Sequence, residues 1–146
     1  NEVILEMTKS NLSTYEFFKK HNILNITDIS GFGLALHLNN LLIRQKRFKG
    51  ANIYIDKILM LDGAKKAIKS NIKSSLTESN KSSLKNILEV KTKKKSFLNI
   101  LFDPQTAGGF LFITSDDKII QDLRKKNITF SEIGEVTLKH NKIRVL

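Results

Sequence analysis

A carboxylate followed closely by glycines is the most chemically informative feature of the sequence. Asp28 comes directly after a strand-like run at residues 23–27, and Gly31 and Gly33 then lead into a helix-like pattern. Backbone N–H groups at a helix start, together with the helix dipole, favour anions, and Mg²⁺ prefers oxygen ligands such as a carboxylate. The segment could therefore present Asp28 to the metal of a Mg-nucleotide. On this segment alone, a simpler interpretation is favoured: Asp28 and Ser30 cap the helix and the glycines form the turn.

A second loop, residues 103–109, separates two apolar runs. Pro104 stiffens it, and the pair Gly108 and Gly109 allows close backbone approach or a positive φ. Such a loop could pack against a ligand or another domain, or it could be a tight turn that feeds a central strand. The turn is the favoured interpretation when the loop is taken alone. The loop is not a P-loop, because the Gly-Lys-Ser/Thr ending of that motif is missing.

The helices that would position these loops are predicted from apolar periodicity. The pattern indicates helices over residues 2–20, 33–46, 62–70 and 116–126. Ser30 is the expected N-cap of the second helix, and Asp62 that of the third. In the second helix, leucines at the spacing i, i+4, i+7 and i+8 form one apolar face: Leu34, Leu38, Leu41 and Leu42.

Strands are predicted at residues 23–27, 52–56, 110–113 and 128–130, with a terminal hairpin of residues 133–138 and 143–146. Residues 110–113 are all apolar, which predicts a fully buried strand. Residues 70–96 are rich in Ser, Lys and Asn. Within them a helix is suggested around Leu84, Ile87 and Leu88, and residues 91–95 are expected to form a solvated loop. Helices and strands mix without regular alternation, so we predict an α+β fold with a mixed sheet packed with helices.

Length and composition limit the class of protein. The chain has 146 residues, enough for a single domain over residues 1–146, and no apolar stretch of ~18 residues that would span a membrane. The first residues lack the pattern of a signal peptide, and position 1 is Asn, so we expect a fragment of a longer protein. Cysteine is absent, which excludes disulfides, zinc thiolate sites and a Cys nucleophile within this chain. A cytoplasmic location is the default expectation.

The charge of the chain is strongly basic. The sequence carries 25 Lys and Arg against 14 Asp and Glu, a formal net charge of +11. The excess could attract phosphates, including those of RNA. It consists mostly of Lys spread along the chain, whereas specific phosphate recognition favours Arg. Aromatic residues are also not interleaved with the basic ones as a stacking platform requires. A basic RNA-binding module therefore remains an alternative, and solvated lysine faces are the favoured interpretation.

Taken together, the two loops resemble the signatures of a known family. Residues 27–34, Thr-Asp-Ile-Ser-Gly-Phe-Gly-Leu, followed by His37 and Leu38, resemble the Thr-Asp-Val-Thr-Gly-Phe-Gly-Leu…Gly-His-Leu signature of selenophosphate synthetases. Residues 101–109, Leu-Phe-Asp-Pro-Gln-Thr-Ala-Gly-Gly, resemble the family's Leu-Phe-Asp-Pro-Gln-Thr-Ser-Gly-Gly. Order and spacing agree, and the resemblance covers nearly the whole chain. It points to the selenophosphate branch of the aminoimidazole ribonucleotide synthetase-like superfamily and to the fold of its C-terminal domain.

The resemblance implies a role for this chain as the C-terminal half of a two-domain enzyme. That family makes selenophosphate from selenide, ATP and water, releasing AMP and phosphate, and its N-terminal half carries the catalytic Cys or selenocysteine and most metal-binding residues. By the family pattern Asp28 would be a ligand of the Mg²⁺ on ATP. Weaker candidates for phosphate-side or interdomain contact are Gly31, Gly33, Asp103, Thr106, Gly108 and Gly109. The expected partners are the N-terminal domain, ATP and selenide, with a homodimeric full-length protein, no membrane and no nucleic acid.

Departures from the family pattern keep another alternative open. Ala107 replaces the usual Ser and loses a hydroxyl that could contact phosphate or backbone, and Leu36 replaces a Gly. Residues 70–96 match poorly. A non-catalytic paralogue that keeps the fold as a scaffold or regulator is therefore the second alternative. His37 matches a family position, but a single His on a helix is more often structural, so the predicted site leaves it out.

Overall fold

Helices and strands alternate irregularly along the chain, which confirms the α+β prediction. A computed structural model describes residues 2–146. Two 3-10 helices, Ile55–Lys57 and Lys95–Phe102, accompany the regular elements. None of the helices within residues 2–146 combines the length and apolar character that crossing a bilayer requires. The elements in chain order are α1 (Glu2–Thr8), α2 (Leu12–Lys20), β1 (Ile26–Asp28), α3 (Gly33–Gln45), β2 (Gly50–Ile53), α4 (Asp62–Lys69), α5 (Thr77–Ser82), β3 (Leu88–Val90), β4 (Phe110–Phe112), α6 (Asp117–Lys125), β5 (Gly134–Thr137) and β6 (Ile143–Val145).

The larger sheet has four strands in the order β3-β6-β2-β5. Strand β6 runs parallel to both β2 and β3, whereas β5 is antiparallel to β2. The predicted terminal hairpin is therefore wrong, because β2 lies between the two strands that were expected to pair. The alternation of apolar and polar residues within a strand does not depend on which strand lies beside it. Local sequence therefore does not reveal that β2 lies between β5 and β6.

The four-stranded sheet has one apolar and one polar face. Ala51, Ile53, Ile143 and Val145 are buried and join the buried leucines of α3 and the 3-10 helix Lys95–Phe102 in one hydrophobic cluster. The predicted apolar face of α3 is thereby confirmed, since Leu34, Leu38, Leu41 and Leu42 are all buried. The intervening residues form a polar row across the strands: Glu89, Arg144, Asn52 and Glu135.

A smaller sheet carries the first loop. Strands β1 and β4 pair antiparallel, with Ile26 opposite Phe112 and Asp28 opposite Phe110. The pair packs against a second hydrophobic cluster built from α2 and α6: Phe17, Phe18, Ile119 and Leu123. The prediction that residues 110–113 form a fully buried, central strand is wrong. Among the described strands β4 pairs only with β1, and it is only partly buried.

Several predicted elements change their bounds. The helix predicted over residues 2–20 is two helices, because Ser10 and Asn11 interrupt it and the Ser10 hydroxyl accepts a hydrogen bond from the Leu12 N–H. The strand predicted at residues 52–56 ends at Ile53 and a 3-10 helix follows. The helix expected around Leu84 to Leu88 lies earlier, as α5, and Leu88 instead begins β3.

Three other local predictions, near α4 and α6, have different outcomes. Residues 128–130 form no strand, and Ile128 and Phe130 pack on the second cluster instead. Helix α6 is confirmed, with Asp116 accepting a hydrogen bond from the Lys118 N–H at its start. Helix α4 begins at Asp62 as predicted, but it has no side-chain cap.

Candidate functional site

The two signature loops lie side by side in the structure. Beyond the β1–β4 ladder, the Ile29 N–H donates to the Gly109 carbonyl at 2.9 Å, and the Gly108 N–H donates to the Ile29 carbonyl at 3.1 Å. The Gln105 N–H adds a bond of 3.2 Å to the Ser30 carbonyl. Backbone hydrogen bonds thus continue beyond the short antiparallel pairing of β1 with β4. They join the two loops into one surface. All seven predicted site residues belong to this pair of loops.

The glycines of the two loops have two different functions. Gly33 has φ +74°, and a Cβ there would lie 2.8 Å from the Phe102 carbonyl carbon. A Cβ on Gly108 would collide with the Ile29 carbonyl oxygen. These two glycines are required for the loops to approach each other. Gly31 and Gly109 instead have nothing within 4 Å of a Cβ, so they leave open space beside the loops.

Asp28 ends β1 with an exposed side chain. Its carboxylate has no ion pair or side-chain hydrogen bond within residues 2–146. It lies at an open cleft of about 390 Å³ whose other lining residues include Tyr15, Lys19, Asn22 and Phe110. A free carboxylate of this kind suits Mg²⁺, which takes one or two carboxylates and completes its shell with water and phosphate oxygens.

Asp28 does not form a metal site with other residues of the described chain. Residues 2–146 contain no group of three or more His, Asp or Glu side chains that could hold a metal ion. One carboxylate therefore fits Mg²⁺ only as a contributor to a shell that phosphates, water or further protein groups complete. The resemblance to selenophosphate synthetases likewise implies that most of the metal ligands come from the N-terminal half.

Ser30 does not have its predicted capping role. Helix α3 begins at Gly33, Phe32 occupies the cap position, and no side chain caps the helix. The Ser30 N–H instead donates to His37 Nε2 at 3.1 Å, and its hydroxyl lies 3.2 Å from the same nitrogen. The other ring nitrogen, Nδ1, lies 3.3 Å from the Thr27 hydroxyl. His37 is therefore a buried residue of α3 whose ring bonds to the first loop, which agrees with the structural role expected for a single His on a helix.

Asn80 is a site residue that sequence reasoning missed. Its side-chain amide nitrogen donates to the Gly31 carbonyl and to the Phe102 carbonyl, both at 3.0 Å. One buried amide on α5 thus connects the first loop with the beginning of the second. Asn80 lies in the Ser-, Lys- and Asn-rich stretch of residues 70–96. No signal in that composition separates it from the solvated asparagines around it.

The second loop presents a small polar surface and a partly buried acid. Thr106 and Ala107 are exposed, and Asp103 is half-buried. Burial raises the pKa of the Asp103 carboxyl, because removal from water disfavours the charged form. Asp28 is the more exposed of the two carboxylates, and Thr106 is the exposed hydroxyl of this loop.

Comparison with known proteins gives the family of the chain. Residues 1–145 match the family described as AIR synthase related protein, C-terminal domain. The chain belongs to this family. It is 36% identical over 126 residues to a selenide, water dikinase of Carboxydothermus hydrogenoformans, which covers 82% of this chain and 35% of that protein. It is 29% identical over 143 residues to one of Pasteurella multocida, which covers 96% of this chain and 40% of that protein.

As an AIR synthase related C-terminal domain, the chain spans between 33 and 40% of the length of these curated relatives. A third relative, a selenide, water dikinase of Caldanaerobacter subterraneus subsp. tengcongensis, is 29% identical over 119 residues. The two adjoining loops of the domain carry one exposed carboxylate, that of Asp28, and open positions at Gly31 and Gly109.

Proposed function

We propose that this chain is the C-terminal domain of a selenophosphate synthetase, a selenide, water dikinase. Residues 1–146 would form a single domain that works with an N-terminal half on selenide and ATP. The observation that carries the proposal is the pairing of the two signature loops, with the one carboxylate of the first loop free at the surface. Further support comes from the relatives, which are all selenide, water dikinases.

The residues of the two loops would then have separate tasks. Asp28 would hold Mg²⁺ on the ATP phosphates, and the ion, when bound, would neutralise phosphate charge. Gly31 and Gly109 leave room for phosphate oxygens because nothing lies within 4 Å of either Cβ position. The Thr106 hydroxyl is exposed for a phosphate-side contact. Gly33 and Gly108 keep the loops in contact, and Asp103 would support the second loop or an interdomain contact.

Phosphoryl transfer depends mainly on positioning and on neutralising charge, so the loss of one ligand at the phosphates has a large effect. A homodimeric, cytoplasmic full-length enzyme belongs to the same proposal. The scaffold alternative is favoured by one observation: Ala107 is exposed where the resembling family has a Ser, so one surface hydroxyl is missing.

The test uses the full-length protein that contains this chain, with selenide-dependent ATP turnover followed by phosphorus NMR. We expect selenophosphate, AMP and phosphate from the wild type. The Asp28→Asn variant keeps the shape and removes the charge, and we expect a loss of about 100-fold or more in turnover. Asp117→Asn is the matched control, because Asp117 is an exposed carboxylate on α6. Its turnover should equal that of the wild type.

The outcomes separate the alternatives. No selenophosphate from the wild type, under conditions in which a known synthetase forms it, would favour the scaffold interpretation. Full turnover by Asp28→Asn would retain the enzyme and remove Asp28 as a metal ligand. Thermal unfolding of each variant establishes that the substitution has not unfolded the protein.

A further inference from the structure

The His37 ring lies behind the loop that leads from Asp28 into α3. The residue is only 9% exposed, and each of its nitrogens has a polar partner in that loop or in the end of β1. Nε2 is 3.1 Å from the Ser30 backbone nitrogen, and Nδ1 is 3.3 Å from the Thr27 hydroxyl oxygen. These two partners flank the Asp28–Ile29 segment on either side. The ring therefore spans the part of the chain that carries the exposed carboxylate.

The partners define the tautomer of the ring. A backbone N–H can only donate, so His37 Nε2 must accept from Ser30 and carries no proton. In the neutral ring the proton is then on Nδ1 and faces the Thr27 hydroxyl. That hydroxyl in turn donates to the Asp28 carbonyl at 3.1 Å. A directed chain of hydrogen bonds thus runs from His37 through Thr27 to the backbone of Asp28.

The backbone at Asp28 is also held by the small sheet. Asp28 pairs with Phe110 across the small sheet, and the next residue, Ile29, bonds to Gly109. The strand fixes one edge of this segment, and the His37 contacts fix the turn that follows it. Groups that orient a metal ligand raise its affinity for the metal, and here they act on the backbone that carries the Asp28 side chain.

We propose that His37 is a positioning residue: as the Nδ1–H tautomer it fixes the turn after β1 and thereby directs the Asp28 carboxylate toward the metal of the bound nucleotide. The proposal rests on the function proposed above for Asp28. His37 itself does not touch the substrate. Its effect would appear in the concentration of Mg²⁺ that the enzyme requires rather than in the fold.

Three substitutions separate the two hydrogen bonds of the ring. His37→Gln keeps an acceptor near the position of Nε2, because the Gln amide oxygen reaches about as far from the backbone. His37→Asn keeps a donor near Nδ1 and loses the acceptor for Ser30. His37→Phe keeps the ring volume and loses both. His140→Phe is the matched control, because His140 bonds to Asn52 on the four-stranded sheet instead.

The measurement is the Mg²⁺ concentration for half-maximal selenide-dependent AMP release by the full-length protein. We expect His37→Phe and His37→Asn to raise it by roughly 10- to 100-fold, the range found when a supporting partner of a metal ligand is lost. His37→Gln should restore most of the wild-type requirement, because the turn after β1 is held mainly by the Ser30 N–H, whose acceptor this variant keeps; His140→Phe should not change the requirement. An unchanged Mg²⁺ requirement in His37→Phe, with an active wild type, overturns the proposal.

Amide hydrogen exchange at Ser30 in the same proteins is a readout that does not depend on activity. The Ser30 amide should be protected in the wild type and in His37→Gln, and it should exchange faster in His37→Phe. If the wild type makes no selenophosphate, the proposed function fails, and exchange at Ser30 still decides whether His37 holds the turn. Equal Ser30 exchange in the wild type and His37→Phe would overturn that role in either case.

Discussion

Gly33 and Gly63 both lie at the start of a helix, and their surroundings differ. Gly33 begins α3 with a positive φ and faces the backbone of Phe102 at a distance that no Cβ tolerates. Gly63 is the second residue of α4, with nothing within 4 Å of a Cβ position. The first glycine is required by the contact between the signature loops. The second glycine lowers the stability of its helix relative to alanine.

Replacing each of these glycines by alanine should have opposite effects. Gly33→Ala places a side chain in the left-handed region against a backbone neighbour, and we expect it to cost about 2 kcal/mol or more of unfolding free energy. Gly63→Ala should stabilise by about 0.4–1 kcal/mol, because it restricts the unfolded chain and favours the helix. Urea unfolding of the two variants measures both. Equal stabilities would contradict the assigned role of Gly33.

At the scale of elements, α5 is connected to both signature loops through Asn80. This side chain is 7% exposed and supplies the donor for two carbonyls, those of Gly31 and Phe102. Buried carbonyls that lose their donor carry the full cost of desolvation. The short helix α5 therefore helps to hold the loop pair together, although no residue of α5 belongs to either signature.

The variant Asn80→Ala tests this connection. We expect a loss of about 1–3 kcal/mol of unfolding free energy, because at least one buried carbonyl is left without a donor. Asn40→Ala is the control. Asn40 is an exposed residue of α3, where alanine is the better helix former, and it should leave stability unchanged or slightly higher. A cost for Asn80→Ala no greater than that for Asn40→Ala would show that the two hydrogen bonds contribute little.

The polar face of the four-stranded sheet contains a cross-strand ion cluster. Glu89 of β3 bonds to Lys91 at 2.7 Å and to Arg144 of β6 at 2.5 Å. The hydrogen bond from Lys91 and then that from Arg144 lower the pKa of the Glu89 carboxyl from 4.5 to about 2. A lowered pKa means that the folded state favours the charged form. The stabilisation that charged Glu89 contributes is therefore fully present above the pKa of this carboxyl in the unfolded state. It is lost as the pH falls toward the folded-state pKa of about 2.

The lowered pKa of Glu89 predicts how the stability difference between the wild type and Glu89→Gln depends on pH. At neutral pH we expect Glu89→Gln to be less stable than the wild type. The difference should shrink as the pH falls from 4.5 to about 2, where Glu89 becomes protonated in the wild type. Glu132→Gln, at an exposed position outside the sheet, is the control and should change the stability little. Thermal unfolding across this pH range gives the comparison, and a constant difference for Glu89→Gln would contradict it.

At the scale of the whole molecule, the formal net charge of +11 comes mostly from lysines distributed along the chain. Large aromatic side chains serve mainly as core: Phe17, Phe18 and Phe102 are almost fully buried. Stacking of single-stranded bases requires exposed rings beside the basic groups. The distribution of charge therefore favours non-specific attraction over recognition of RNA.

Binding of single-stranded RNA should accordingly be weak and sensitive to salt. We expect dissociation constants of roughly 10⁻⁶–10⁻⁴ M near physiological salt, with affinity falling steeply between about 50 and 200 mM. Fluorescence anisotropy with oligonucleotides of different sequence measures both. Sequence-selective binding much tighter than this range would favour the RNA-binding alternative.

Local patterns in the sequence determined much of this protein. The periodicity of apolar residues predicted the apolar face of α3, the bounds of α6 and the α+β class. This periodicity indicates which side of each element faces the core. The two signature loops also stood out, because glycines and an acid at fixed spacing leave a local mark. Asp28 was found in this way, and the structure leaves its carboxylate exposed.

Pairing between distant segments was decided only by the tertiary structure. The insertion of β2 between β5 and β6 leaves no local trace, since alternation does not identify a strand's neighbour. The same holds for Asn80, whose partners belong to two other loops, and for Ser30, which bonds to His37 rather than capping α3. A short polar side chain has several possible partners nearby, and burial by distant elements selects among them. Sequence thus identified the loops, and long-range packing brought them together.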